Sequence, residues 1–294
     1  MSFPGPLYDS RSVGRWRVHA IQAGGQQLDG GAMFGVVPKL LWERKLAADS
    51  RNRIPMGMRC LLVEHQDELV LIDTGVGNKE SAKFHEIYGI ENTVSDGPTA
   101  LEDGIRAVGF SPSDVTLVLN THLHFDHAGG NTTRTSDGVV QSTFPNARYV
   151  VQRGEYEYAS QPNERTSASY FPPNWDPIIA AGRFGFVEGA VEIVPGIVLH
   201  PTPGHTPYHQ SVMLRSEGAT ACFLGDVVPT THHLSLPWIM GYDVEPLRTL
   251  ESKRALLASA LVEEWLLIFE HDAHHGFGRV AQDGKGYHLA TDVL

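Results

Sequence analysis

Three imidazoles and a carboxylate fall within six residues in the stretch Thr121-His122-Leu123-His124-Phe125-Asp126-His127-Ala128-Gly129-Gly130. Neutral imidazole and ionised carboxylate are the ligand types of a zinc-type site. In an extended segment, side chains two apart share a face, so His122 and His124 can grip one ion together. Asp126 and His127 lie just past that pair, where a turn can carry them toward a second ion. Gly129-Gly130 supplies the backbone freedom such a turn requires. Further ligand-type residues close later apolar runs: His205 in Thr202-Pro203-Gly204-His205-Thr206-Pro207, Asp226 after Gly225, and His271 after Trp265 to Phe269. The seven groups divide between two ions, with His122, His124 and His205 on one, Asp126, His127 and His271 on the other, and Asp226 bridging. Each ion then keeps the open position of a catalytic site. His274 and His275 compete for the last place, but His271 follows its strand directly.

These groups must be positioned by the elements around them. The β-branched run Val115-Thr116-Leu117-Val118-Leu119-Asn120 reads as a buried strand feeding the histidine cluster. Upstream, Trp16 to Ile21 reads as a strand followed by a loop. Met58 to Glu64 and Glu68 to Asp73 form a hairpin around His65-Gln66-Asp67. Asp73 ends its strand beside Gly75 and serves either as a turn cap or as an acceptor orienting a ligand histidine. Thr99 to Val108 has the spacing of an amphipathic helix stopped by Gly109. Beyond the cluster, strands are expected at Val139 to Thr143 and Ala147 to Gln152, with a short helix at Glu155 to Ala159. Residues 160–184, rich in Pro, Asn, Ser and aromatics, read as an irregular insertion or lid. Strands resume at Val191 to Val194, Ile197 to His200, Gln210 to Leu214 and Ala219 to Leu224. Thr249 can cap a helix running to about Glu263, with Leu250, Leu257 and Leu261 on one face. A short hairpin-like end follows His275. The apolar loop from Gly30 to Trp42 either buries under other elements or walls a pocket.

Length is within reach of one large α/β domain, and residues 1–294 are expected to form one. With Lys plus Arg at 23 and Asp plus Glu at 34, the net charge of −11 argues against a nucleic-acid backbone as partner. Cys60 and Cys222 lie in apolar runs and read as buried free thiols in a reducing compartment. The N-terminal residues lack a basic region followed by an apolar segment, and no apolar stretch approaches the ~20 residues that span a bilayer. A cytoplasmic protein without membrane contact is expected.

The pattern His122-x-His124-x-Asp126-His127, with Asp73 before it and Pro203-Gly204-His205-Thr206, Gly225-Asp226 and His271-Asp272 after it, resembles the metallo-β-lactamase-fold hydrolase superfamily from about residue 15 to 275. The resemblance implies a four-layer αβ/βα sandwich with two divalent metal ions at one edge of the sheets. Zinc is the first expectation, although imidazole and carboxylate also accept iron, manganese, cobalt or nickel. It favours Asp73 as the acceptor that orients a ligand. Thr202 to Ser211 and Phe144-Pro145-Asn146-Ala147-x-x-Val150-x-Gln152-x-x-Glu155 look most like the N-acyl-homoserine lactone lactonases. There are two departures: Tyr208 stands where those enzymes usually have glycine, and Pro229 where they carry a tyrosine near the substrate carbonyl.

The resemblance thus implies a dinuclear hydrolase whose metal-bridging hydroxide opens a lactone or cleaves a carboxylic ester, the substrate being a small molecule. Asp126 would also steer the nucleophile or shuttle a proton. His232 and His233 are candidates to replace the missing tyrosine as donors. Phe34, Leu40, Trp42, Tyr170, Trp175, Trp238 and Met240 are candidates for an apolar pocket wall, although core or dimer packing needs the same residue types. A phosphotriester or thioester hydrolase of the same fold is the alternative, and a non-hydrolytic metal-binding or redox protein is the alternative of another class. A homodimer is expected from the lactonase resemblance.

Overall fold

Strands that must be buried on both faces read as unbroken apolar runs, and here they form the middle of two facing sheets. The computed structural model describes residues 6–66, 68–93 and 98–290. Its first half contains β1 (Tyr8–Val13), β2 (Trp16–Asp29), α1 (Gly30–Phe34), α2 (Lys39–Trp42), β3 (Arg53–Glu64), β4 (Leu69–Ile72), α3 (Ala82–Tyr88) and α4 (Ala100–Val108). Next come β5 (Leu117–Leu119), α5 (Phe125–Ala128), β6 (Thr132–Arg134), β7 (Val140–Ser142), β8 (Arg148–Gln152), α6 (Arg153–Ser160), α7 (Asp176–Ala180) and β9 (Phe184–Val187). The second half contains β10 (Val191–Val194), β11 (Ile197–Pro201), β12 (Gln210–Ser216), β13 (Ala219–Phe223), α8 (Pro246–Val262), β14 (Leu266–Ile268), β15 (Phe277–Gly278), β16 (Val280–Asp283) and β17 (Gly286–Leu289).

One sheet runs β1-β2-β3-β4-β5-β8-β9 and the other β10-β11-β12-β13-β14-β15. Their inner faces meet through Val18, Leu61, Val63, Ile72 and Leu119 on one side and Leu199, Val212, Leu214 and Phe223 on the other. The alternate residues Cys60, Leu62, Leu71 and Val118 face outward and are covered by Leu101 and Ile105 of α4. On the far side, Met213, Cys222 and Leu267 are covered by Leu256, Leu257 and Ala260 of α8. The result is the four-layer αβ/βα sandwich that the resemblance implies. Both cysteines are buried and unpaired. Among the described residues no helix is long and apolar enough to cross a membrane.

Strand direction decides where chemistry collects. β4 and β5 are parallel, as are β13 and β14, and β11 shares the direction of β13 because each lies antiparallel to β12. The residues that follow the C-terminal ends of these five strands are Asp73, His122 to His127, His205, Asp226 and His271. Each candidate ligand is therefore delivered to one edge of the sandwich.

Several local expectations are corrected. β2 continues to Asp29 through an irregularity between Gln22 and Gly25, so the loop expected after Ile21 is strand. β7 pairs with β6 in a separate ribbon, whereas β8 joins the first sheet, and β9 is an additional strand parallel to it. Gly129 has ordinary helical angles. Its role, and that of Gly130, is close approach: a Cβ at either would collide with the backbone of Val76 or Thr74. α8 starts at Pro246, whose missing N–H costs nothing in the first turn, rather than after Thr249. Its buried face is Thr249, Lys253, Leu256, Leu257 and Ala260, while Glu251 is exposed.

Lys253 is 1% exposed, and its Nζ donates to the carbonyls of Ser235 and Trp238 at 2.8 Å each, fixing the loop that leads to Met240. Burial pulls its pKa down to about 7. Below that pH the folded protein must hold a buried charge. Between about 7 and the ordinary lysine value only the unfolded chain stays fully protonated, so this cost is relieved as pH rises. Urea titrations of wild type and Lys253→Met should therefore show wild type gaining stability relative to the variant from pH 7 to 10. A pH-independent difference would contradict this.

Candidate metal centre

The cluster opens where β5 ends. Residues 122–124 lie outside helix and strand, His124 being extended just before the single turn of α5, and His122 Nε2 comes within 3.0 Å of His124 Nδ1. His205 Nε2 lies 3.1 Å from the same His124 nitrogen. The turn of α5 carries Asp126 and His127 to the other side, where His127 Nε2 is 3.1 Å from His271 Nε2. Asp126 stands 3.8 Å from both of those nitrogens. Asp226 lies between the two groups, with Oδ2 3.0 Å from His205 Nε2 and Oδ1 3.0 Å from His271 Nε2. The structure thus brings together all seven groups, in two triads with one carboxylate between them.

The far side of each ring shows what the near side is for. His271 Nδ1 donates to the Gly57 carbonyl at 2.7 Å, so in the neutral ring it is Nε2 that carries the lone pair. His205 Nδ1 donates to Asp243 Oδ1 at 2.9 Å. His122 Nδ1 is 3.0 Å from Thr121 Oγ1, whose own proton goes to Asp73 Oδ2 at 2.6 Å. His127 Nδ1 lies 3.0 Å from Asp73 Oδ2 and 3.1 Å from Glu270 Oε2. Lone pairs aimed at one another across about 3 Å repel unless a cation lies between them, and Asp226 Oδ1 is buried without a hydrogen bond. The donor set fits two divalent ions, with imidazole and carboxylate on each.

The electrostatics divide the rings, with nearby carboxylates raising His127 and His205 against the effect of burial. Burial, reinforced by neighbouring imidazoles, holds His122 and His124 well below the usual histidine range, so both are neutral near pH 7, the form in which imidazole can bind a metal. Burial also acts against charge on His271, but the charge and hydrogen bond of Asp226 together with the Glu270 carboxylate outweigh it and lift the group to about 9. Burial pushes the Glu270 carboxyl up.

The centre forms the floor of a cavity of about 370 Å³, reached by His124, Asp126, His205, Asp226 and His271. Leu28, Met33, Phe125, Met240 and Val244 make its apolar wall, and Tyr88, Tyr242, Arg165, Thr166 and Ser169 its polar side. Of the aromatic and aliphatic residues expected there, only Met240 lines it. Phe34, Trp42 and Trp238 instead pack with one another in a core cluster under α1 and α2, and Trp175 is buried in another. Leu40 is 69% exposed. Tyr170 contacts the His124 ring at 4.7 Å, but its hydroxyl donates to Glu155 beneath. Hydrophobic type cannot separate core from wall, which is why these expectations are corrected.

The expected donors His232 and His233 are displaced too. His233 is 1% exposed with both nitrogens engaged, by Thr230 Oγ1 and the Met33 carbonyl at 2.8 Å each. His232 does not line the cavity. The backbone N–H groups of His274 and His275 donate to Asp272 Oδ1, and neither ring reaches the triads. The segment 160–184 is tied down by Trp175 and Ile178, yet contributes Arg165, which donates to the Gly241 carbonyl at 2.7 Å across the cavity.

Compared with known proteins, residues 59–271 match the model of the metallo-beta-lactamase superfamily. The chain belongs to that superfamily and is a hydrolase of it. An N-acyl homoserine lactonase of Bacillus cereus is 32% identical over 232 residues, spanning 75% of this chain and 83% of the relative. The structure of a probable metal-dependent hydrolase from Staphylococcus aureus superposes with a TM-score of 0.85 at 30% identity, covering 97% of this chain and all of that one. A dizinc quorum-quenching lactonase, AidC, shares the fold with a TM-score of 0.79 at 18% identity, over 98% of each chain.

Some supporting residues of this superfamily site gave no usable signal in the sequence. Asp243 and Glu270 hold the His205 and His127 rings from separate elements. Gln26 donates to Asp126 Oδ2 at 2.6 Å. His209 accepts the Asp226 N–H at 3.0 Å. Glu155, already singled out within a motif but without a role, accepts from the Leu123 N–H, Tyr170 and Thr206, so it joins the His122–His124 loop to the His205 loop.

His271 must lose its proton to bind metal, so affinity for the second ion should climb as pH rises from 6 to about 9 and level off beyond, as read by competition with a chelator. His271→Ala should abolish tight binding of one ion and His274→Ala should keep both. A flat pH profile, or the opposite pair of phenotypes, would reassign the ligand.

Proposed function

We propose that this hydrolase holds two divalent ions, zinc first among them, and opens a lactone or cleaves a carboxylic ester. The observation that carries the reading is the convergence of seven potential coordinating groups beneath an apolar-walled cavity, five of them on its floor. A cavity of about 370 Å³ lies at the small end of ligand pockets, which run roughly 300–1,000 Å³, and suits a small ester with an acyl chain. The lactonase relatives, about a third identical over most of the chain, support the same substrate class.

When bound, two such ions bring the pKa of a water down toward ~7 and polarise an ester carbonyl. The chain's own residues supply the rest. Gln26 occupies Asp126 Oδ2 and so orients the carboxylate, leaving Oδ1 to accept a proton from the attacking water. Leu28, Met33 and Met240 keep bulk water off the acyl side and hold an alkyl chain by burial. Asp243 and Glu155 keep the His205 loop in register with the His122–His124 loop, so the floor does not move when substrate enters.

The zinc-loaded protein should hydrolyse N-acyl homoserine lactones in preference to thioesters and phosphotriesters. Met240→Ala, which shortens a wall residue that also packs in the core beneath, should raise KM for long-chain lactones by about tenfold, from loss of roughly 1.5 kcal/mol of apolar contact, with a smaller effect on lactones lacking the chain. Preference for a phosphotriester or thioester would replace the proposed substrate class.

A further inference from the structure

Opening a lactone leaves an alkoxide, which is a poor leaving group unless something gives it a proton. Pro229 has no donor, and His232 and His233 lie outside the cavity. Among the non-coordinating residues on the cavity's polar side, Arg165 is engaged with the Gly241 carbonyl, and Thr166 Oγ1 is bonded to Asn163 Oδ1 at 3.3 Å. The hydroxyls of Tyr88, Tyr242 and Ser169 remain. Among the described residues neither phenol hydroxyl has a hydrogen-bond partner, although both residues line the cavity together with Asp126 and Asp226 and both feel the Asp126 charge, Tyr242 being 40% exposed at its mouth.

We propose that Tyr88 and Tyr242 form a phenol pair that donates the proton to the alkoxide as the lactone C–O bond breaks, an inference that rests on the hydrolytic reading above. Both are anchored to the floor through one neighbouring residue. The Tyr88 ring packs between Phe84 at 4.5 Å and Phe125 at 5.0 Å, and Phe125 adjoins Asp126 in the chain. Tyr242 sits between two fixed points: the Gly241 N–H donates to the Ala32 carbonyl at 2.8 Å, and Asp243 holds His205. The Val244 N–H also donates to the His205 carbonyl, at 3.2 Å. Arg165, bonded to the Gly241 carbonyl, braces the same segment from the other side.

The step balances. A water oxygen bonds to the carbonyl carbon, the ring C–O bond breaks, and a phenol proton moves to the departing oxygen. A proton released by the attacking water returns to the phenolate, so one water is consumed per hydroxy acid formed. Burial and then the Asp126 charge raise the Tyr88 pKa. Burial, then Tyr88, Asp29 and Asp126, lift that of Tyr242 to about 12. Both phenols are therefore protonated at neutral pH and remain stronger acids than an alcohol.

The test uses Tyr88→Phe, Tyr242→Phe, the double variant and Ser169→Ala as control, each zinc-loaded with metal content measured. An alkyl lactone needs the proton and a nitrophenyl ester does not. The ratio of lactone to aryl-ester kcat/KM should fall about 100-fold in the double variant, the low end for general acid catalysis. A second readout is binding of the ring-opened hydroxy acid by calorimetry. Its affinity should fall roughly 3- to 10-fold in the double variant, the worth of a hydrogen bond, while that of the same acid without the hydroxyl stays constant. Equal falls on both substrates, equal falls for both acids, or Ser169→Ala reproducing the ratio change would overturn the phenol role. A wild-type protein inactive on every lactone would overturn the hydrolytic reading along with it.

Discussion

Five imidazoles and two carboxylates held with neighbouring nitrogens and oxygens about 3–4 Å apart, most of them buried beneath one cavity, make a local arrangement that opposes folding. Lone pairs face lone pairs, and burial penalises whichever groups are charged. What makes it tolerable is the set of bonds on the far side of the rings, where Asp73, Thr121, Asp243, Glu270 and the Gly57 carbonyl hold His122, His127, His205 and His271 from behind. Two divalent ions would turn the remaining repulsion into coordination. The rest of the structure follows from the need to hold those atoms still.

The sandwich does this with strand ends. Parallel β4 and β5 in one sheet, and β11, β13 and β14 in the other, bring the candidate ligands to a single edge from segments far apart in the chain. Local backbone choices tighten the edge. Asp73 adopts a positive φ of 54°, unusual for a non-glycine residue, and in doing so turns its carboxylate under both Thr121 and His127. Arg59, 8% exposed, bonds the Phe269 and Asp272 carbonyls on either side of His271, tying the two sheets where the last candidate ligand emerges.

The sequence made the metal cluster readable because its chemistry is compressed into His122 to His127, and because strand ends with a His or Asp are easily seen. Strands such as β5 and β13 were equally plain, since both of their faces are buried. The supporting groups were not readable, for a physical reason: Asp243 and Glu270 act across elements, and a lone carboxylate in a chain with 34 of them carries no local signature. Aromatic residues misled for the opposite reason. Trp42 and Trp175 have the composition of a pocket wall but fill cores, whereas Tyr88 and Tyr242, which do face the cavity, lie in stretches with no distinguishing pattern. The start of α8 moved because Pro246 is a better first-turn residue than a cap at Thr249 would require.

Everything functional in this account depends on two ions sharing one carboxylate. Anomalous diffraction from crystals of the zinc-loaded protein, collected on either side of the zinc edge, measures that directly. Two peaks are expected: one among His122, His124 and His205, the other among Asp126, His127 and His271, with Asp226 in contact with both. A single peak, or two peaks that Asp226 does not join, would contradict it.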